Sequence, residues 1–438
     1  MKREVNMHEM IGVMGLVVVI VLCLTGIELS YAMFIIGFLG FSSIVSFEAG
    51  LNLLARDIFD VFANYGFTVV PLFLLMGQIA FNAGIAKSLY HASYRFIGHI
   101  PGGLAMATAA GAAAFGTVTG SAVATAATFG SVAYPEMERY HYSKKLSTGI
   151  IAVGGTLGAL IPPSSCLIIY GIITETSIGK LFLASTIPGL IITFLIICII
   201  YGWCRIDPSL GPKGERSTWM ERWRSLRPVL SVMLIFIIVT GGMSKGFFTP
   251  TEAGSVGTFA VLLLALAKRD INFAGFVSAL KDSVRTACMV LLLLAGSTTF
   301  GHFLVVTKIP LMLADWIGTW HLPPYVIMAI ILIIYEIGGS FIEDLAFMIL
   351  ATPILFPIVI KLGYDPVWFG VLLQIFMMIG IIIPPMAMNV FVVRNITKVP
   401  FGVIYSGTYP FLIALIGCAV LLFVFPEIIT FLPNLLFQ

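Results

Sequence analysis

Charge is the property that this sequence has least of. Asp, Glu, Lys and Arg together make up 10% of its 438 residues, against about 25% in an average soluble domain. Hydrophobic residues make up 59%, and the mean hydropathy is +1.05. No soluble fold could bury that much apolar surface, so the composition excludes a soluble globular protein. The formal net charge of +3 is too small to indicate a nucleic-acid partner.

Clusters of reactive or metal-binding side chains are missing as well. The 6 cysteines are scattered without a CxxC pair, which argues against disulfide and metal frameworks. The sequence contains no GxxxxGKS/T motif, which argues against an ATP-driven pump. It contains neither an HExxH motif nor a convincing Ser/His pair, which argues against an enzyme. We therefore expect neither catalysis nor a cofactor. The 6 histidines form no metal-like cluster; they are His8, His91, His99, His141, His302 and His321.

Long apolar runs are abundant and predict an all-α polytopic membrane protein. A spanning helix needs about 20 apolar residues, and about ten segments meet this need. We place the spans at residues 10–27, 31–46, 66–84, 147–174, 181–203, 228–244, 252–267, 286–306, 366–394 and 402–425.

Two further apolar segments, 101–135 and 323–357, break near their centres, at GTVTGS (116–121) and GGSFIED (338–344). Half of either segment makes roughly 24 Å of helix, too little to cross a bilayer. We interpret both as re-entrant hairpins. Such backbone is tolerated at membrane depth only where it is buried in protein or lines a cavity.

The orientation follows from the basic loops 204–227 and 268–285. Two spans separate these loops, so they share a side, and the positive-inside rule makes that side cytoplasmic. Counting spans back from them places the N-terminus outside.

The chain repeats itself at an offset of 222 residues (323 − 101) without gaps. An odd number of spans separates equivalent points, so the two copies are inverted in the membrane. Paired interrupted helices in an inverted repeat indicate a secondary transporter. Equivalent residues are Pro101 and Pro323, Gly116 and Gly338, Pro135 and Pro357, Tyr142 and Tyr364, Gly158 and Gly380, Pro162 and Pro384, and Pro163 and Pro385.

The repeat divides the chain into four predicted regions. Residues 1–65 are N-terminal scaffold helices, and 205–285 are cytoplasmic loops and central scaffold helices. The first inverted repeat is 66–204, with hairpin 101–135 and broken helix 147–174. The second is 286–438, with hairpin 323–357 and broken helix 366–394.

Each copy carries a proline pair inside a span, in GALIPPSSCLIIYG (158–171) and GIIIPPMAMNVFVV (380–393). Proline removes an N–H and disfavours helix in the residue before it. A break near the bilayer centre frees carbonyls that suit a cation and N–H groups that suit an anion. A simple proline kink is the alternative, but the matched register in both copies favours a binding site.

The two hairpin tips differ in chemistry. Thr119, Gly120 and Ser121 form a small, hydroxyl-rich tip, whereas the hydroxyls further along the segment could instead bond to the preceding turn. Glu343 and Asp344 stand at the second tip, and carboxylates at membrane depth are usually functional. They could bind a cation, carry a proton or cap the second half-helix.

Several stretches together resemble the large membrane subunit of TRAP transporters, the tripartite ATP-independent periplasmic transporters (DctM-type, ion transporter superfamily). The resemblance covers nearly the whole chain. The stretches are PLFLLMGQIAFNAGI (71–85), GHIPGGLA (98–105), FGTVTGSAVATAATFGSVAYPEM (115–137), GTLGALIPPSS (155–165), SIGKLFLASTIPGL (177–190), GFFTPTEAG (246–254) and GSFIEDLAFMILATPILFPIV (339–359).

The resemblance implies a sodium-driven importer of a small organic anion, a carboxylate or sulfonate, in the bacterial inner membrane. It implies an elevator mechanism and no cofactor other than sodium as the coupling ion. It also implies two partners: a four-helix small membrane subunit (DctQ-type) and a periplasmic substrate-binding protein (DctP-type). We expect the small subunit to be separate because no extra four-helix region precedes Ile11.

The resemblance also implies site residues. The predicted cation-binding residues are Thr119, Gly120, Ser121, Thr125, Gly155, Thr156, Gly158, Gly339, Ser340, Glu343, Asp344, Gly380 and Pro384. The predicted substrate-binding residues are Thr119, Ser121, Pro162, Pro163, Ser164, Ser165, Pro385, Asn389 and Arg394. Arg394 could instead extend to the cytoplasmic edge of the membrane.

The second copy departs from the family pattern: Ile383 replaces a threonine before the proline pair, and Met377 and Met378 stand where an asparagine is common. We hypothesise that Glu343 or Asp344 replaces the lost cation ligands or couples protons instead. A channel is the other alternative, since hairpins also build selectivity filters. The inverted repeat favours a carrier.

Overall fold

The computed structural model describes residues 2–319 and 322–436 of the chain. Within these ranges the regular structure is entirely helical, with twenty α-helices, one short 3-10 helix and no strand. The all-α prediction is therefore confirmed. Met1, Trp320, His321, Phe437 and Gln438, which the sequence analysis assigned to the first and last regions, lie outside the described residues.

The first five helices include two that the sequence analysis missed, α3 and α5. Both are amphipathic, with charged residues on one face, so neither has the long apolar run of a span. Ser46 caps α3 by accepting a hydrogen bond from Ala49 N (3.2 Å). The helices are α1 (Lys2–Leu24), α2 (Leu29–Ile44), α3 (Phe47–Ala63), α4 (Val69–Asn82) and α5 (Ile85–Ile97), and the 3-10 helix Tyr65–Thr68 precedes α4.

The next five helices form the first hairpin and the first broken helix. The hairpin turns at Gly120, whose positive φ of 63° requires glycine, and Ser121 caps the returning helix. The broken helix bends by about 40° at the proline pair. The helices are α6 (Gly103–Thr119), α7 (Ala122–Arg139), α8 (Lys144–Leu160), α9 (Ser165–Ile173) and α10 (Ile178–Ile206).

The central helices extend further than their apolar runs predict. The α13 helix was predicted to begin at 286, but it begins at Phe273 because Asn272 caps it, accepting from Gly275 N (2.7 Å). Thr218 caps α11 in the same way, ahead of the predicted start at 228. Much of the predicted loop sequence is thus polar helix. The helices are α11 (Trp219–Ser244), α12 (Pro250–Ala267), α13 (Phe273–Thr307) and α14 (Ile309–Gly318).

The last six helices repeat the order of the first copy: a hairpin, a broken helix and a long apolar helix. Asp365 caps the broken helix by accepting from Val367 N (2.8 Å) and Trp368 N (2.9 Å). The helices are α15 (Pro324–Phe341), α16 (Asp344–Lys361), α17 (Pro366–Gly380), α18 (Met388–Thr397), α19 (Phe401–Val424) and α20 (Glu427–Leu436).

By length and composition, 8 of the described helices could cross a membrane, or up to 9 if α8 and α9 count as one span. The sequence analysis counted about ten spans apart from the hairpins. The sets differ because both legs of the second hairpin qualify by length, whereas α2, α17 and the apolar part of α1 (Met7–Cys23) are each shorter. A multi-pass membrane protein is supported either way.

The two hairpins open toward opposite ends of the molecule. At the mouth of the α6–α7 hairpin, Gly102 N donates to Gly211 O in the loop before α11 (2.9 Å). At the mouth of the α15–α16 hairpin, the Tyr170 hydroxyl, near the end of α9, donates to Pro366 O (2.7 Å). The α8–α9 pair begins at the first mouth and ends at the second, so it crosses the molecule between them. This is the geometry of the predicted inverted repeat.

Candidate functional site

A cavity of about 440 Å³ lies where the two hairpin tips face the scaffold helices. Helices α4 and α13 supply one wall, and the N-terminal ends of α7, α9 and α16 supply the other. Its size is in the range of small-molecule sites. Among its polar lining residues are Gln78, Thr119, Ser121, Thr286, Glu343 and Asp344.

Hydroxyl and carbonyl oxygens gather at the first hairpin tip. The Thr119 and Thr125 hydroxyl oxygens are 3.1 Å apart. Each also reaches a backbone carbonyl to which it can donate, Phe115 O at 3.1 Å and Ser121 O at 2.8 Å. Both hydroxyls can therefore keep lone pairs free for a cation. An uncharged oxygen cluster of this kind suits a hard cation.

The first tip is held tightly against the broken helix. Ser165 N donates to Gly120 O (3.2 Å), and a Cβ on Gly120 would lie 2.5 Å from Pro163 O. A Cβ on Gly158 would lie 2.2 Å from the Thr125 hydroxyl oxygen. These glycines permit the close approach of the two backbones. The structure thus brings together most residues of the predicted first cation site.

Two other predicted residues of this site have different surroundings. Gly155 packs against Ala126, where a Cβ would lie 2.6 Å from the alanine Cβ. The Thr156 hydroxyl is fully buried and donates to Val153 O on its own helix (2.7 Å). Gly155 therefore supports the packing of α7 on α8, whereas the Thr156 hydroxyl is already bonded within α8.

The second tip is held against its own broken helix by a similar backbone bond, but it carries fewer neutral oxygens. Met386 N donates to Ser340 O (3.0 Å), and a Cβ on Gly380 would lie 2.9 Å from Glu336 O. The Ser340 hydroxyl donates to Glu336 O on its own helix (3.0 Å). Gly339 packs against Met377, whose Sδ would lie 3.3 Å from an added Cβ.

The two carboxylates of the second tip line the cavity. Asp344 is 8% exposed; its Oδ1 accepts from Leu345 N (2.8 Å), and its Oδ2 lies 3.9 Å from the Cys166 Sγ. Glu343 makes no side-chain capping bond to α16. Within residues 2–319 and 322–436, neither carboxylate forms an ion pair. For Glu343, this argues against the capping role that the sequence left open.

Three helices begin at the cavity. The first residues of α7, α9 and α16 all belong to its wall, at Ala122, Ser165 and Asp344. The start of a helix carries unpaired N–H groups and a partial positive charge. Ser121 caps α7 and Ser164 caps α9, each accepting a backbone N–H.

The predicted substrate-binding residues fall into two groups. Thr119, Ser121 and Ser165 line the cavity. The others are Pro162, Pro163, Ser164, Pro385, Asn389 and Arg394, which are not among its lining residues.

The side chains of this second group have other contacts. Ser164 also donates to Ala159 O, and the buried Asn389 donates to Ala152 O (2.9 Å), joining the two copies. The Arg394 guanidinium stacks over the Phe401 ring, 4.7 Å from its centroid. Both proline pairs lie in the breaks, each with a cis bond between its prolines.

Sequence reasoning missed several polar groups, one near this site and two in the scaffold. Gln374 is 1% exposed, and its Nε2 has no hydrogen-bond partner within the described part of the chain. It could have been noticed as the single amide side chain in the otherwise apolar α17. Asp57 and His302 form a pair in the scaffold, 3.1 Å apart. No pattern in the sequence connected these two residues.

Comparison with known proteins identifies one family, by a family model and by individual relatives. The family model described as "Tripartite ATP-independent periplasmic transporter, DctM component" matches residues 16–428. The C4-dicarboxylate TRAP transporter large permease protein DctM of Pseudomonas aeruginosa is 34% identical over 382 residues, 87% of this chain and 89% of that protein. The sialic acid TRAP transporter large permease protein SiaM of Vibrio cholerae is 34% identical over 394 residues, 90% and 92% of the two chains.

Among solved structures, the YdaH transporter of Alcanivorax borkumensis has a similar fold, with a TM-score of 0.61. The match covers 86% of this chain and 89% of that chain at 15% identity. At that identity the likeness concerns the fold alone.

Proposed function

Since the chain belongs to the DctM family of tripartite ATP-independent periplasmic transporters and is a multi-pass protein of the bacterial inner membrane, we propose that it imports a small organic acid by sodium symport. The observation that carries the proposal is the cavity between the two hairpin tips and the scaffold helices α4 and α13. Secondary transporters bind their substrates at the interface of their two repeats, and residues of both hairpin tips line this cavity.

The first tip is the proposed sodium site. Its support is the pair of hydroxyl oxygens of Thr119 and Thr125, 3.1 Å apart, with Ser121 O beside them. Neutral oxygens suit sodium, and a buried cation needs them to replace its water. A sodium ion bound here would also offset the negative charge of an organic anion in the cavity.

Movement of the tips against the scaffold is the proposed transport step. The cavity wall is shared between the repeat elements and the scaffold helices, so a substrate held by the tips would travel with them. Such a rigid-body movement of one bundle against another provides alternating access.

Two partners belong to the proposal. The relatives are named large permease proteins of TRAP transporters, and a tripartite system needs a small membrane subunit and a periplasmic binding protein. We propose that a DctQ-type subunit braces the scaffold and that a DctP-type protein delivers the substrate.

The test is uptake into proteoliposomes that hold this chain, its small subunit and a loaded binding protein. A sodium gradient, a proton gradient and a membrane potential are imposed separately. Uptake that requires both inward sodium and the binding protein supports the proposal. Fast downhill flux that ignores every gradient would instead indicate a channel.

Proton coupling is a second candidate, favoured by one observation. Glu343 and Asp344 line the cavity without a cationic partner in the described part of the chain, and carboxylates at membrane depth often relay protons. In that case uptake follows an imposed pH gradient without sodium, and the Glu343→Gln/Asp344→Asn double variant abolishes the response. An unchanged sodium requirement in the double variant would exclude these carboxylates from ion coupling.

A further inference from the structure

The charges around the cavity are not those of a site for a simple anion. We propose, resting on the transport function above, that its substrate is a zwitterionic organic acid, in which a carboxylate and a cationic nitrogen group are joined by a short chain. The carboxylate would bind at the first tip and the cationic group at the second.

The first argument is the charge of the cavity wall. None of the described residues that line it is Lys, Arg or His, whereas Glu343 and Asp344 both line it. Arg394, the basic residue of α18 in the second broken helix, stacks on Phe401 instead (4.7 Å). A dianion in this cavity would meet two fixed carboxylates and no fixed cation. Burial of like charges without a partner is costly.

The second argument concerns where a carboxylate can bind. Helices α7 and α9 begin at the cavity with the small residues Ala122 and Ser165. No acidic side chain of the described cavity lining stands at either start. The N–H groups of Ala124, Leu167 and Ser165 already donate to the first tip and to Ser164. The N–H groups of Ala122, Val123 and Cys166 have no partner in the described residues, so they and the partial positive charge remain for an anion. The Ser121 and Ser165 hydroxyls add two further donors. A single carboxylate suits this end of the cavity.

The third argument concerns the opposite tip. The start of α16 is already compensated by Asp344, whose Oδ1 accepts from Leu345 N (2.8 Å). Asp344 is 8% exposed and has no cationic partner in the described residues. Glu343 has neither an ion pair there nor a capping bond. A substrate ammonium or amidinium group would supply the missing positive charge and donate to these carboxylates.

The two copies of the repeat therefore provide opposite ends for one bipolar ligand. The first end contributes helix N-termini and hydroxyls, and the second contributes carboxylates. The cavity of about 440 Å³ limits the ligand to a small molecule.

Three four-carbon acids test the proposal: 4-aminobutyrate, butyrate and succinate. They have similar size and differ in net charge and in the presence of an ammonium group. Their binding is measured by thermal shift and titration calorimetry on the complex of this chain with its small subunit, at constant sodium. We expect 4-aminobutyrate to bind at least about tenfold more tightly than either of the others, because only it satisfies the unpaired carboxylates.

The Glu343→Gln variant distinguishes whether charge pairing or shape determines the affinity for 4-aminobutyrate. We expect it to weaken 4-aminobutyrate binding by about tenfold or more and to leave butyrate within about twofold. The Asp344→Asn variant should act in the same direction. The control is Glu336→Gln, a carboxylate on the same hairpin that does not line the cavity, and it should change none of the three affinities.

Succinate or butyrate binding at least as tightly as 4-aminobutyrate would overturn the proposal. So would a Glu343→Gln variant that weakens all three ligands equally, which would make Glu343 a coupling-ion ligand. Sodium-driven uptake of succinate would refute the zwitterion and leave the transport function intact. If no imposed gradient drove uptake of a substrate delivered by the binding protein, the transport function itself would be refuted.

Discussion

The two hairpin tips share a backbone plan and differ in chemistry. At each tip, one backbone bond ties the hairpin to its broken helix: Ser165 N to Gly120 O (3.2 Å) and Met386 N to Ser340 O (3.0 Å). The first tip then presents neutral hydroxyls to the cavity, whereas the second presents carboxylates. Glycine and proline positions therefore determine how the copies fold, and the side chains that the tips turn toward the cavity can differ between them.

The glycines explain why the two hairpin tips share the same backbone arrangement. Gly158 and Gly380 occupy equivalent positions, and a Cβ on either would approach hairpin atoms to within 2.2 Å and 2.9 Å respectively. The first approach involves a side-chain hydroxyl oxygen of the proposed sodium site, and the second involves only backbone. The same close packing would therefore disturb the proposed sodium site in the first copy and only backbone in the second.

The largest effect is expected from Gly158→Ala. Its Cβ would lie 2.2 Å from the Thr125 hydroxyl oxygen and 2.8 Å from Ser121 O, so the oxygen cluster must move. Overpacking of this kind costs about 1–3 kcal/mol, and we expect sodium-driven uptake to fall below detection. Thermal unfolding in detergent and proteoliposome uptake measure the two effects.

Gly154→Ala is the matched control on the same helix. Its Cβ would meet the Ala112 Cβ at 3.5 Å, an ordinary contact, so both stability and uptake should remain close to those of the unmodified protein. If Gly158→Ala transported as well as Gly154→Ala, the first tip would not be the sodium site.

A smaller effect is expected from Ser121→Ala at the first tip. The substitution removes the cap of α7, to which Ala124 N donates (3.3 Å), at a cost of about 1 kcal/mol. We expect the half-saturating sodium concentration to rise several-fold. Uptake measured against sodium concentration gives this value.

The second tip also carries a serine, although not at the repeat-equivalent position, and its test is Ser340→Ala. Its hydroxyl donates within its own helix, to Glu336 O (3.0 Å), so we expect a change of less than about twofold in sodium affinity. An equal response of the two serine variants would mean that both tips bind sodium alike.

The smallest effects on uptake are expected at two equivalent tyrosines of the hairpin mouths, which do not line the cavity, and these two substitutions are compared by stability. The Tyr142 hydroxyl accepts from Leu104 N (3.2 Å) and donates to Pro212 O (2.8 Å). Tyr142→Phe should lower the free energy of unfolding by about 1–2 kcal/mol, because a buried N–H loses its partner. Chemical denaturation in detergent measures the loss.

Tyr364→Phe is the counterpart in the second copy. The Tyr364 ring stacks on Trp368, with centroids 5.1 Å apart, and the substitution preserves that contact. We expect a change within about 0.5 kcal/mol. A larger loss from Tyr364→Phe than from Tyr142→Phe would contradict the different roles assigned to the two mouths.

Much of the architecture was predictable because its signals are local. Pro162 and Pro384 interrupt apolar runs in register, and proline breaks a helix whatever surrounds it. The glycine at the first hairpin turn, Gly120, is an equally local signal. The helices α3 and α5 were missed since their apolar residues lie on one face and form no continuous run. The start of α13 was misplaced because Lys281, Asp282 and Arg285 interrupt its apolar run, so the residues before 286 were interpreted as a loop.

The candidate site was predictable only in part. Thr119, Ser121, Glu343 and Asp344 stood out in the sequence as polar groups in apolar segments, and all four line the cavity. The scaffold side of the cavity was not foreseen. Thr286 and its neighbours on α13 are distant in sequence from both tips, and nothing local indicates that α13 packs beside them.

The sequence by itself determined the helical, membrane-spanning class, the inverted repeat and the two interrupted regions, because apolar runs, glycine and proline act on the nearest few residues. Tertiary structure alone decided which groups meet. It placed the Thr125 hydroxyl against Gly158, stacked Arg394 on Phe401, and left Glu343 unpaired among the described residues. These outcomes depend on the packing of helices far apart in the chain, and the balance of charge in the cavity follows from that packing.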